Sequence, residues 1–388
     1  MVPLITIDSL MCMLTQQSPK YSRTRKFQRD FCLKRRIKLV KFLRTGCQFF
    51  TKWPMDPNAT KWRQVFSRIL YWIHFSNELY GVLGIINGLR CCFMTWGEFA
   101  KSFVEGIFML EVLFNLIYYR WREIEFQMEN FFEVSKPKYL SHLRSMYYIL
   151  TITYGIGGLL FAFVPIFAEN HVIPMNTVYY MIPREKYWGI CVTYAMNVVH
   201  IVNAASVVFL DLLVITIIWH ATCKFSILGN MVNSLSEEEL RMWIREHQNV
   251  ISYVREINFV VAPLAIKSTI AVALYMIVSG LVTIYKVLFI EFSKFFVVAV
   301  FSMLRFLACS WAVDKMTEEA HGLAWDIYDS SRINTKARSE IMLIIQRCQK
   351  PITIHAVGFL TAWSLKFCGR VLYTIFTFFS TLKAVLRE

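Results

Sequence analysis

WGICVTYAMNVVHIVNAASVVFLDLLVITII, residues 188–218, is a run of 31 residues in which Asp211 is the only side chain charged at neutral pH. A helix crosses a bilayer with about 20 mostly apolar residues, so this stretch predicts a membrane span. No alternation of polar and apolar residues marks a strand anywhere along the chain. Working outward, similar runs fall at about 65–89, 97–119 and 146–168 before it, and at about 258–283, 295–312 and 352–382 after it. The expected fold is therefore all-α, a polytopic membrane protein of seven transmembrane helices.

Composition agrees. Of 388 residues, 56% are hydrophobic and 18% charged, with 32 Phe, whereas soluble domains carry about a quarter charged residues. The net charge of +15 belongs beside the apolar runs rather than on a nucleic-acid-binding face. Pieces 1–63, 117–144, 219–257 and 313–351 together hold 29 Lys and Arg; pieces 91–101, 169–187, 284–294 and 383–388 hold 7. The positive-inside bias puts the N-terminus in the cytoplasm and the C-terminus outside. The start, Met1 to Leu14, has neither a basic n-region nor a small-residue cleavage site, so the first span is expected to act as the insertion signal.

The inner connections look helical. In 237–257, Leu240, Trp243, Ile244, Val250, Ile251 and Val254 recur near helical spacing with charges between them. Segment 317–347 is similar, with a break expected around Ser330-Ser331. Their glutamates (Glu237, Glu238, Glu239, Glu246, Glu318, Glu319) favour packing against protein over lying on an anionic lipid surface, whereas the basic run from Lys20 to Arg44 suits such a surface. The chain then divides into four regions: a basic segment 1–63, a bundle of six spans 64–312 with inner helical extensions, a cytoplasmic helix 313–351, and a last helix 352–388.

No catalytic motif is present: no HExxH, GxSxG or P-loop. The eight histidines are dispersed without metal spacing, so no enzyme, metal or cofactor is expected. The ten cysteines lack CxxC pairs and read as core residues; Cys91, Cys92 and Cys191 fall near the outer face, where a disulfide is an open alternative. Ionisable residues inside spans (Glu78, Glu105, Glu111, His200, Asp211, Lys267, Arg305) are costly and are expected to pair across helices. Lys366 and Arg370, one turn apart on one face of the last span, are expected to face a neighbour or a wide water-filled vestibule. A pocket for a small volatile molecule needs aromatic walls with a few hydroxyls or amides. The outer halves of the spans supply candidates in Phe103, Tyr154, Gly157, Phe161, Tyr194, Asn197, Phe296 and Phe301.

The C-terminal third carries a more specific pattern. Ile344-Ile345-Gln346-Arg347-Cys348-Gln349-Lys350-Pro351, followed by an apolar helix ending Phe376-Thr377-Phe378-Phe379-Ser380-Thr381-Leu382-Lys383, resembles the insect odorant receptor family. Phe stands at both tyrosines of that family's terminal block. Asp211, His220, Phe225 and Leu228, then His247-Gln248 with Asn258, and Lys52-Trp53-Pro54 are similar to further family runs. The resemblance implies a subunit of a heteromeric, tetrameric cation channel assembled with a shared odorant receptor co-receptor in the plasma membrane of an olfactory neuron dendrite. It implies an odorant in the outer half of the bundle, and subunit anchoring through the cytoplasmic helices with Gln346, Arg347, Lys350 and Pro351. It also implies a pore lined by the last helix with Thr374, Thr377, Phe378, Ser380 and Thr381. The short 219–257 connection points to a tuning subunit rather than the co-receptor. The sibling gustatory receptor family shares the fold, but its last-helix Thr-Tyr order is reversed here at Tyr373-Thr374. A G-protein-coupled receptor would invert the charge bias, and a transporter would show internal repeats.

Overall fold

A computed structural model describes residues 42–43, 45–47, 60–91, 96–121, 137–167, 173–183, 185–232, 237–284, 289–329, 338–355 and 362–385. Contacts divide the chain into Met1–Arg44, of which only 42–43 are described, and Thr45–Glu388. The second unit holds every helix of the bundle. These are α1 Lys61–Cys91, α2 Trp96–Trp121, α3 Pro137–Phe167, α4 Tyr187–Val232, α5 Glu237–Ile284, α6 Phe289–Tyr328, α7 Arg338–Cys348 and α8 Leu365–Val385. Among the described residues there is no strand. The basic residues of the run Lys20 to Arg44, Lys52-Trp53-Pro54 and the Ser330-Ser331 break lie outside the described residues, as do the side chains of Cys91 and Cys92. Cys191 carries a free thiol.

Among the described residues, four stretches are long and apolar enough to cross a membrane by length and composition: His142–Phe163, Tyr187–Val232, Glu239–Leu281 and Ser293–Tyr328. The first and second make opposite use of that apolarity. The most apolar window of α3 is only 17% buried within the protein, that of α4 83%. Ile149, Ile152, Ile156 and Leu159 stand exposed along α3, and Trp62, Phe66, Ile69 and Trp72 along α1. Bare apolar faces of this extent suit lipid rather than water. α4, apolar all round, is the axial helix: it packs most extensively on α6 and also against α1, α2, α3 and α5.

At 1.5 Å per residue, α4 (46 residues), α5 (48) and α6 (40) are each longer than a bilayer core requires. The surplus turns pack together at one end. Trp243 Nε1 donates to the Leu228 carbonyl (3.0 Å) and stacks on His247, whose Nε2 lies 3.6 Å from Cys348 Sγ. Burial pushes the Cys348 thiol up to about 11 against the pull of Arg347, so it packs as a thiol at neutral pH. Segment 237–257, expected as an inner helical extension, and the span after it are one helix running through Pro263. In the same way α6 runs on from its span through residue 313 to Tyr328.

The last helix needs a correction. Hydropathy suggests a span from 352, but 351–355 is non-helical and α8 starts at Leu365. Two side chains set that start: Ser364 Oγ accepts from the Phe367 amide (3.1 Å), an N-cap, and Asp314 Oδ2 accepts from the Leu365 amide (2.9 Å). Upstream, Asn258 Oδ1 takes the His355 amide (2.7 Å) and Thr317 Oγ1 donates to the Ile352 carbonyl (3.0 Å). Side chains of α5 and α6 thus meet two of this segment's backbone polar groups and tie it to the bundle without a helix.

Candidate ligand site

Near the end of the bundle opposite α7, helices α2, α3, α4 and α6 enclose a narrow cavity with about 500 Å³ of atom-free space, its mouth included. α3 forms the longest wall with Thr153, Tyr154, Gly157, Gly158 and Phe161. The glycines let neighbouring side chains come close: a Cβ on Gly157 would stand 3.3 Å from Val297 Cγ1, and one on Gly158 3.4 Å from Ile201 Cγ2. α6 contributes Val297, Val298 and Phe301, α2 contributes Val104, Glu105 and Phe108, and α4 contributes Ile201. Tyr154 leans on Phe301 (ring centroids 5.7 Å), and Phe161 meets Phe295 edge-on at 6.0 Å.

The surface presented to the cavity is apolar. Tyr154 Oη donates to the Ile201 carbonyl, Thr153 Oγ1 to the Ile149 carbonyl (2.8 Å), and Glu105 Oε2 accepts from the Asn176 amide (2.8 Å). The polar groups of the wall are thus turned into the protein.

Of the eight candidate positions, the structure brings Tyr154, Gly157, Phe161 and Phe301 together on this wall. Two more hold it up. Tyr194 Oη donates to the Ala162 carbonyl (2.7 Å), tying α4 to α3. Buried Asn197 receives the Thr177 hydroxyl (3.0 Å) and donates to the Met175 carbonyl (3.2 Å). Phe103 and Phe296 do not belong: Phe103 stacks on Phe99 on an exposed face of α2, and Phe296 is 55% exposed. One residue along a helix is a rotation of about 100°, and it is the next residue in each case, Val104 and Val297, that reaches the cavity.

One wall comes from outside the helices. The linker 173–183 folds onto the bundle and puts Met175 in the cavity. Val178 N–H donates to the Gly84 carbonyl (2.9 Å), Asn87 Nδ2 to the Val178 carbonyl (3.2 Å), and Asn176 Nδ2 to Ser102 Oγ (3.3 Å). Gly88 permits this close approach, since a Cβ there would sit 2.8 Å from the Asn176 carbonyl oxygen. Beneath, Tyr179 Oη lies 3.1 Å from His200 Nε2, His200 Nδ1 lies 3.2 Å from Glu78 Oε1, and Asn203 Nδ2 donates to the same oxygen (2.8 Å).

A second polar cluster lies one turn further along α2 and α6. Arg305 Nη2 donates to Glu111 Oε1 (2.7 Å) and its Nε to Asp211 Oδ2; Lys267 Nζ donates to Glu111 Oε1 (2.8 Å) and to Asn115 Oδ1 (3.2 Å); Tyr275 Oη donates to Glu111 Oε2 (3.0 Å). Two cations and two anions from α2, α4, α5 and α6 thus form one buried, neutral unit. The Arg305 guanidinium also lies 5.4 Å from the ring centre of Phe301 on the cavity wall.

A model of the 7tm odorant receptor family matches residues 108–376, more than half of the chain. The chain belongs to this family. The olfactory receptor OR5 of the insect Machilis hrabei has the same fold: TM-score 0.74 at 16% identity, covering 89% of this chain and 97% of that one. Its complex with eugenol superposes with TM-score 0.75 at 14% identity, covering 92% and 98%. No curated protein sequence matches. The odorant receptor described here is therefore a multi-pass, seven-helix membrane protein.

In this odorant receptor the far end and the last helix carry the remaining candidates. Arg347 borders a groove between α5 and α7 with Arg241 and Arg255, while Gln346, Lys350 and Pro351 are exposed beside it. On α8, Cys368 and Ile375 are buried, and Phe379 lies against Gly280 of α5. Thr374, Thr377, Phe378, Ser380 and Thr381 are turned away from that contact, and Phe378 is 51% exposed. Phe306 of α6 links the two regions: one residue past Arg305, it contacts Trp363 and Phe367 at the head of α8 (6.5 and 6.4 Å between ring centroids).

Proposed function

We propose that this odorant receptor is the ligand-binding subunit of a heteromeric, four-membered cation channel built with the family's co-receptor, its C-terminal helix contributing to the ion path. The single observation behind this reading is the apolar cavity walled by Tyr154, Gly157, Phe161, Phe301 and Met175, whose apolar character suits a small volatile. The hydroxyl-bearing outer face of α8 supports the pore role of Thr374, Thr377, Phe378, Ser380 and Thr381, and the groove at Arg347 supports subunit anchoring at Gln346, Arg347, Lys350 and Pro351. The receptor sits in the plasma membrane, with the N-terminus inside, a reading supported by the bias of 29 Lys and Arg against 7.

The wall presents no polar surface to the cavity, so a ligand hydroxyl held there would go unsatisfied, and an unsatisfied buried polar group costs about 1–3 kcal/mol. An alkylbenzene is expected to evoke current at roughly tenfold or more lower concentration than its hydroxylated analogue of equal size. The test is a volatile panel applied to cells expressing the chain with the co-receptor. Surface-labelled receptor that passes no evoked current to any volatile would refute the channel reading.

Orientation has its own test. Asn58-Ala59-Thr60 is the sole N-x-[ST] sequon and precedes α1, on the side assigned to the cytoplasm. It should carry no glycan, and a glycosidase-sensitive mobility shift of the wild-type chain would reverse the topology.

A further inference from the structure

We propose that Lys366 and Arg370 form a fixed positive site on the ion path that disfavours divalent over monovalent cations; this rests on the channel reading above. The placement follows from how α8 is seated. Cys368, Ile375 and Phe379 face the bundle, and Lys366, Arg370, Thr374, Thr377 and Thr381, spaced three or four residues apart, run down the opposite, exposed face. Among the described residues neither Lys366 nor Arg370 has an acidic partner. A cationic side chain in a membrane helix is not left against hydrocarbon, so this face meets water.

The same face changes character along its length. Thr374, Thr377 and Thr381 each donate to the carbonyl four residues back (Arg370 2.9 Å, Tyr373 3.0 Å, Thr377 3.0 Å). Their protons are committed, which leaves oxygen lone pairs outward as acceptors that suit a passing cation. Two fixed positive charges thus precede a stripe of cation-compatible oxygens. Repulsion from the basic pair scales with ion charge. At about 7 Å through water with physiological screening, two such charges deplete a divalent ion roughly two- to threefold more than a monovalent one.

The experiment measures reversal potentials under Ca²⁺ and Na⁺ gradients with the full chain and the co-receptor together. Lys366→Gln with Arg370→Gln is expected to raise the Ca²⁺-to-Na⁺ permeability ratio roughly two- to threefold, while Lys366→Arg leaves it unchanged. In a second arm, Arg370→Cys should raise the ratio and a cationic thiol reagent should return it, measured against reagent-treated wild type because Cys191 is exposed. A ratio indifferent to both arms in conducting channels would show that the two side chains reach headgroups instead and overturns the inference, leaving the channel reading in place. A wild-type pair that conducts nothing overturns both.

Discussion

Arg305→Met is expected to remove most receptor from the cell surface, because it leaves Glu111 and Asp211 buried with Lys267 as the cluster's remaining cation. Breaking a buried ion pair from one side costs about 3–5 kcal/mol, a large part of the stability of most domains. Arg305 touches both carboxylates, and its side chain is only 6% exposed. The discriminating comparison is Arg305→Met with Asp211→Asn, which restores neutrality and keeps the Lys267–Glu111 pair at 2.8 Å. The double variant should recover surface expression and thermal stability relative to the single one. Wild-type surface levels for Arg305→Met alone would show that the cluster does not hold the bundle.

The second large effect is on the ligand. Gly157→Leu should abolish or weaken the response about a hundredfold while leaving surface levels near wild type. Its Cβ would already press on Val297, 3.3 Å away, and its remaining carbons have only the cavity to enter. Phe103→Ala and Phe296→Ala, altering exposed side chains, should leave the order of preferred volatiles as it was. The measurement is a dose–response series over one panel for all three variants. An unaltered Gly157→Leu response would put the ligand elsewhere in the bundle.

Several of these features are legible in the chain's residues alone. The run at 188–218 announces the axial helix, and the alternation in 237–257 announces the helical extension at the start of α5. Glu78, Glu111, His200, Asp211, Lys267 and Arg305 find one another across the spans, as their cost in an apolar setting demands, whereas Glu105 turns to the Asn176 amide of the linker. Which way each helix faces is not legible. A span that is apolar all round has no polar side to set its phase, so Phe103 is as good a candidate as Val104, and Phe296 as Val297. Met175 has no local signal at all, since its place depends on Gly84, Gly88 and Asn197 meeting the linker from distant parts of the chain. The late start of α8 is masked because hydropathy counts apolar residues and is blind to a cap. Ser364 is the available clue.

The neutrality of the cluster at Glu111, Asp211, Lys267 and Arg305 bears on how such receptors diverge. Four charges that cancel cannot be altered one at a time without stranding another. Lineages should therefore keep the set or exchange it in opposite-sign pairs, and the four positions should covary across an alignment. The cavity wall is under no such constraint. If the cavity is the ligand site as proposed, Val297 or Ile201 can drift singly, each step retuning the ligand with the frame intact, so a family built this way would acquire new smells through single mutations while its scaffold changes only in coordinated jumps.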